Sequence, residues 1–135
     1  IQFTRLGVSH LKEHLGIPHP RVALLNIGTE SVKGTPEHQK LFDYLKTHQE
    51  GFEFVGNTEG RQLFSGDIDL VVTDGFTGNV FLKTAEGAAH FLIQELKNQL
   101  AKDEVRLLMP HFTRFSERFS QNVYPGALVL GLKQH

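Results

Sequence analysis

The sequence predicts a three-layer α/β/α fold around a mostly parallel, Rossmann-like sheet, with a helical hairpin projecting from it. Three observations predict it. Short β-branched or apolar runs alternate with longer amphipathic stretches, the pattern of parallel strands joined by right-handed helical crossovers. Residues 21–27 are almost continuously apolar, as in a strand buried on both faces. Three such runs empty into polar, glycine-bearing loops: Asn26-Ile27-Gly28-Thr29-Glu30, Gly56-Asn57-Thr58-Glu59-Gly60 and Thr73-Asp74-Gly75-Phe76-Thr77-Gly78-Asn79. Loops of that kind predict one crevice at one edge of the sheet.

Each element follows in order. Residues 1–16, with Ile1, Phe3, Leu6, Leu11 and Leu15, read as an amphipathic helix stopped by Gly16, Pro18 and Pro20. The strand at 21–27 follows. Thr35-Pro36-Glu37 reads as a helix start: Thr35 as N-cap, Pro36 at the first helical position, and Glu37 favouring the dipole. That helix extends to about His48 and buries Leu41, Phe42 and Leu45. Residues 52–55 read as a second strand ending in a Gly-Asn turn, 58–64 as a short helix, and 68–73 as a third strand. A long helix is expected from about Thr77 to Ala101. Val105, Leu108, Met109, Phe112, Phe115 and Phe119 then share one helical face despite Pro110. Residues 127–132 read as a last strand.

The 135 residues suit one α/β domain, partial and from the second half of a longer enzyme, with the hairpin at about 88–120. The chain starts without Met in what reads as mid-helix and stops directly after an apolar run, so both ends read as cut. With 39% hydrophobic and 21% charged residues the chain is globular rather than disordered. A net charge of −1 argues against nucleic-acid binding through global charge. The absence of Cys excludes a thiolate nucleophile or zinc site within these residues. No run of about 18 apolar residues exists, and the start reads as no secretory signal. Among eight His only His10 and His14 have i,i+4 spacing, with Lys12-Glu13 between them rather than a metalloprotease pattern, so no metal is expected.

The chemistry concentrates at the strand exits. A helix N-terminus after a tight turn offers free N–H groups and a positive dipole end to an anion. Lys33, between Val32 and Gly34 in the first exit loop, is placed as a point-charge phosphate binder, with Glu30 as its ion-pair partner. Asn79 can cap its helix or donate to an anion there. Asp74 ends its strand at the same edge and is either a turn residue or an orienting carboxylate. Gly75 and Gly78 are expected to allow unusual backbone angles and close ligand approach. Gly56 and Asn57 are weaker candidates, Asn57 for phosphate binding.

Several ordered segments carry a resemblance: Leu25-Asn26-Ile27-Gly28-Thr29-Glu30 with Lys33-Gly34, then Val55-Gly56-Asn57, then Thr73-Asp74-Gly75-Phe76-Thr77-Gly78-Asn79-Val80 with Leu82-Lys83-Thr84 and Glu86-Gly87. Together they resemble the PlsX-type phosphate acyltransferases. Tyr124, Gly126-Ala127 and Leu130-Gly131-Leu132-Lys133 resemble a further family segment, with Pro125 in place of a glycine. The resemblance covers the whole chain but only the second half of the family's usual length. It implies a bacterial enzyme that transfers a fatty acyl group from acyl carrier protein to inorganic phosphate, giving acyl phosphate for phospholipid synthesis, without a cofactor. It places a functional Lys at Lys33. It further implies a cytoplasmic homodimer whose helical hairpin touches the inner face of the membrane and receives the carrier. Lys97, Arg106, Arg114 and Arg118 are the cations expected to meet that acidic partner. Two other readings stand beside it: a non-catalytic module binding phosphate or carrier, and a phosphotransacetylase-like enzyme using coenzyme A thioesters. Because the family's early loops are missing, the chain alone is expected to be inactive.

Overall fold

The computed structural model describes residues 1–100 and 102–118, the last four as backbone alone. The chain divides into two compact units, the first Ile1–Gly75 and the second beginning at Phe76. The first unit contains α1 (Gln2–His14), β1 (Arg21–Leu25), α2 (Pro36–Thr47), β2 (Glu53–Thr58), a short 3₁₀ helix (Gly60–Phe64) and β3 (Leu70–Val72). Next come α3 (Gly75–Gln99) and α4 (Lys102–Arg118).

The strands are parallel in the order β2-β1-β3. The alternation of strands and helices thus produces the parallel sheet it predicts. β1 lies between its two neighbours and has almost no exposed surface: Val22 and Ala23 are fully buried, Leu24 nearly so. Its Val22 and Leu24 form one core cluster with Val8 of α1, Leu45 of α2, Phe52 and Val72. α1 and α2 therefore cover the same face of the sheet. The rings of Phe42 and Phe54 meet edge to face at 5.2 Å beside that cluster. α2 begins as its residues dictate. The Thr35 hydroxyl accepts from the His38 N–H at 3.4 Å, Pro36 opens the helix, and Glu37 is in the first turn.

A polar clamp sets the register of β1 against β3. Asp69, one residue before β3, accepts from the Arg21 backbone N–H (2.8 Å), Nε (3.0 Å) and Nη2 (2.9 Å). Its own N–H donates to the Arg21 carbonyl at 2.9 Å, and Arg21 Nη2 also reaches the Gly66 carbonyl at 2.8 Å. From there Val22 pairs with Leu70 and Leu24 with Val72.

Two expectations change. Gly56 and Asn57 are not a turn after the second strand but part of it. Between Val22 and Ala23 the register slips, so that Val22 faces Phe54 and Ala23 faces Gly56, leaving Val55 as a bulge. Gly56 takes φ +97°, a conformation side chains other than glycine rarely adopt. The loop after β3 is also shorter than expected. Helix α3 starts at Gly75, so only Thr73 and Asp74 separate strand from helix, and Gly75 and Gly78 have helical rather than unusual angles. As expected, α4 continues through Pro110; Leu108 and Met109 of its apolar stripe are exposed (39% and 41%). Tyr124 and the strand expected at 127–132 lie outside the described residues. Among the described residues no helix is long and apolar enough to cross a membrane.

Replacing Leu24 by Ala opens a cavity in the one cluster shared by both helices and the sheet, and should cost about 2–5 kcal/mol in denaturant unfolding. The Arg21 guanidinium bonds to the Asp69 carboxyl and holds it below its ordinary value. The stability this contributes is complete above the unfolded value of about 4, and is lost as pH falls through the lowered folded value. Acid titration of unfolding should show that loss in the wild type and a flatter acid limb in Asp69→Asn.

Candidate functional site

Because β2 and β3 lie on opposite sides of β1, the chain leaves the end of β1 at the point where strand order reverses, which is where open α/β sheets bind ligands. The exit loop there is polar and tightly tied. Asn26, the first residue past β1, continues the pairing through its N–H to the Thr58 carbonyl at 2.8 Å. Its Oδ1 accepts from the Ile27 N–H (2.8 Å) and its Nδ2 donates to the Lys33 carbonyl (3.0 Å). Asn57 Nδ2 donates to the Glu30 carbonyl at 2.8 Å, and Gln39 Nε2 to the Val32 carbonyl at 2.7 Å. Three side-chain amides, one from the loop itself, one from β2 and one from α2, thus hold three carbonyls of one loop.

Two glycines make room for this arrangement. Gly34 has φ +86°, and a Cβ there would approach the Asn26 amide to 2.8 Å and His38 Cβ to 2.9 Å. Gly28 is buried, and a Cβ on it would come within 3.0 Å of Lys33 Cγ, so the lysine stem lies against bare backbone. Lys33 Nζ ends 3.9 Å from Glu30 Oε1, with both side chains substantially exposed (44% and 61%). An exposed pair at that length contributes little, and the ammonium stays accessible to an external anion.

The bulge in β2 turns Asn57 inward. This residue is 8% exposed, and its Oδ1 is buried without a hydrogen-bond partner. The structure thereby brings Asn57 to the loop that carries Lys33, one of whose carbonyls it holds.

Asp74 stands at the same edge, just past β3. With Thr73 it lines a cavity of about 280 Å³ bounded by the ends of β1 and β3, the start of α1 and the first turn of α2. Glu37 and His38 are on its α2 side. His38 Nδ1 is 2.9 Å from the Thr35 hydroxyl, so the N-cap also sets the imidazole. The Glu37 carboxyl is held below its ordinary value, first by its own backbone N–H and then by the Thr35 hydroxyl. His38 connects the two halves of the site: its Cβ abuts Gly34 and its side chain lines the cavity that Asp74 lines.

The remaining candidates are placed as follows. Gly75 is the first residue of α3, and a Cβ there would meet open space. Gly78 and Asn79 belong to α3 in the second unit, and Asn79 is exposed inside the helix rather than capping it. Lys97 Nζ sits 5.6 Å over the Phe112 ring, while Arg106 and Arg114 are exposed on α4. The Arg118 side chain lies outside the described residues. The rings of His10 and His14 lie 4.9 Å apart, tilted by 41°, and the described residues contain no group of three or more side chains suited to a metal ion.

The sequence reading assigned no role to Asn26, His38 or Gln39. Asn26 lay within the quoted motif, and its signal was a polar residue directly after a fully apolar strand. The cavity had no linear signal, because four separate segments build it.

The model of the family described as fatty acid synthesis protein matches residues 1–135. The phosphate acyltransferase of Thermosipho melanesiensis is 39% identical over 137 residues, covering 98% of this chain and 40% of the relative. That of Pelagibacter ubique is 40% identical over 138 residues (98% and 41%). That of Chlamydia abortus is 44% identical over 134 residues (98% and 38%). The chain therefore spans about two fifths of the length of the curated relatives it matches. Matched along its whole length, this chain belongs to the fatty acid synthesis protein family.

Proposed function

We propose that this chain forms the phosphate-holding part of an enzyme that transfers a fatty acyl group from acyl carrier protein to inorganic phosphate, giving acyl phosphate for phospholipid synthesis. One observation carries the reading: the loop after β1 is tied at three carbonyls so that Lys33 projects, accessible, at the switch point of the sheet. The names of the relatives, phosphate acyltransferase, support it.

The chemistry asks little of the protein beyond placement. A phosphate oxygen attacks the thioester carbonyl carbon, the carbon–sulfur bond breaks, and the thiolate leaves with the proton that hydrogen phosphate gives up. Phosphate is already a nucleophile, so no covalent side chain is needed, and positioning with electrostatic stabilisation supplies the rate. Lys33 offsets the phosphate charge, and Asn57 keeps its loop in shape. Asn79 donates to the phosphate or to the developing oxyanion. Asp74 orients donors at the same edge, and Gly75 and Gly78 let the ligand approach the backbone. Lys97, Arg106, Arg114 and Arg118 receive the acidic carrier. The enzyme works as a homodimer in the cytoplasm, with the α3–α4 region against the inner face of the membrane.

The test uses the full-length protein that carries this sequence. Lys33→Ala should lower phosphate-dependent acyl phosphate formation by about 10²–10³, the worth of one preorganised charge-stabilising donor. Asn79→Ala should cost a similar factor. An unchanged rate in folded Lys33→Ala removes Lys33 from the mechanism. Asn57→Ala should raise the KM for phosphate more than it lowers kcat, because it loosens the loop and touches no reacting atom. The 135-residue chain alone should show no turnover.

A further inference from the structure

We propose that the cavity beside Asp74 holds the hydrocarbon chain of the acyl group, with the reacting carbonyl emerging on its His38 side, toward the Lys33 loop. This rests on the acyl-transfer reading above. The cavity's apolar lining is Leu24 and Val72 of the sheet, Leu41 of α2, and Ile1 and Phe3 at the start of α1; it is open to solvent, and its volume is about 280 Å³. Small-ligand sites begin at about 300 Å³, so this space suits a segment of chain rather than a whole cofactor.

Charge argues for that occupant and against the other reactant. The polar end of the cavity carries two carboxylates, Asp74 and Glu37, and the environment of Glu37 favours its charged form. An anion gains nothing by entering there, whereas Lys33 offers phosphate a cation on the exit loop. The acyl thioester is the reaction's one uncharged, mostly apolar participant. Its chain can lie over Leu24 and Val72 while its carbonyl leaves the cavity past His38, toward the Lys33 loop. His38 sits between the two places, against the Lys33 loop on one side and the cavity on the other. Each methylene buried there strengthens binding by about fourfold.

The experiment has two arms on the full-length protein. The first compares kcat/KM for long-chain and short-chain acyl carriers in wild type and Leu41→Trp, with circular dichroism to verify the fold. Filling the cavity should reduce the ratio of long-chain to short-chain kcat/KM by about tenfold, the worth of roughly two methylenes. A folded Leu41→Trp protein with an unchanged preference overturns the proposal. The second arm needs no turnover. An uncharged, photoreactive long-chain alkyl ketone should label peptides containing Leu24, Leu41 or Val72, and labelling confined elsewhere overturns the proposal. Should Leu41→Trp unfold, this labelling decides alone. Labelling in the cavity without any phosphate-dependent transfer would sink the acyl-transfer reading and leave the apolar site standing. Transfer with labelling elsewhere would do the reverse.

Discussion

Everything at the candidate site depends on β1 being paired on both sides. Both edges of this strand are taken up by pairing, and its four residues after Arg21 are apolar and buried to 8% exposure or less. Its backbone is consumed by two ladders, its start is held by the Asp69 carboxylate, and its polar residues can appear only where it ends. The abrupt change from Leu25 to Asn26 is that ending. The same geometry carries the exit loop of β1 and Asp74 after β3 to one edge, since parallel strands end together.

Holding a charged side chain accessible on a loop requires the loop's own polar groups to be satisfied from within. Here the amides of Asn26, Asn57 and Gln39 do that, each donating to a different carbonyl. The cost appears in β2, where a bulge and the left-handed Gly56 are needed to turn Asn57 inward. An ordinary strand would have kept Asn57 in alternation with Phe54 and Val55. The irregularity therefore belongs to the site, as bulges beside functional positions often do.

What the sequence makes legible here is what local chemistry decides. Thr35, Pro36 and Glu37 announce the start of α2 because capping involves residues within one turn. β1 is legible because burial on both faces leaves an uninterrupted apolar run. Lys33 stands out as a lone cation in a strand-exit loop. The misread places are where distant partners overrule local preference. Gly56-Asn57 reads as a turn until β1 pairs with it. Gly75 and Gly78 read as a loop because glycine is a poor helix former, yet α3 begins there. The strand order and the cavity beside Asp74 come from contacts between segments far apart in the chain, and no window of sequence contains them.

The central claim is that the β1 exit loop binds phosphate through Lys33. Calorimetric titration of inorganic phosphate into the full-length protein, wild type beside Lys33→Ala, addresses it without invoking turnover. Saturable binding that weakens as salt rises, and that disappears in the folded variant, is the predicted result. Equal phosphate binding by the two proteins would contradict the account.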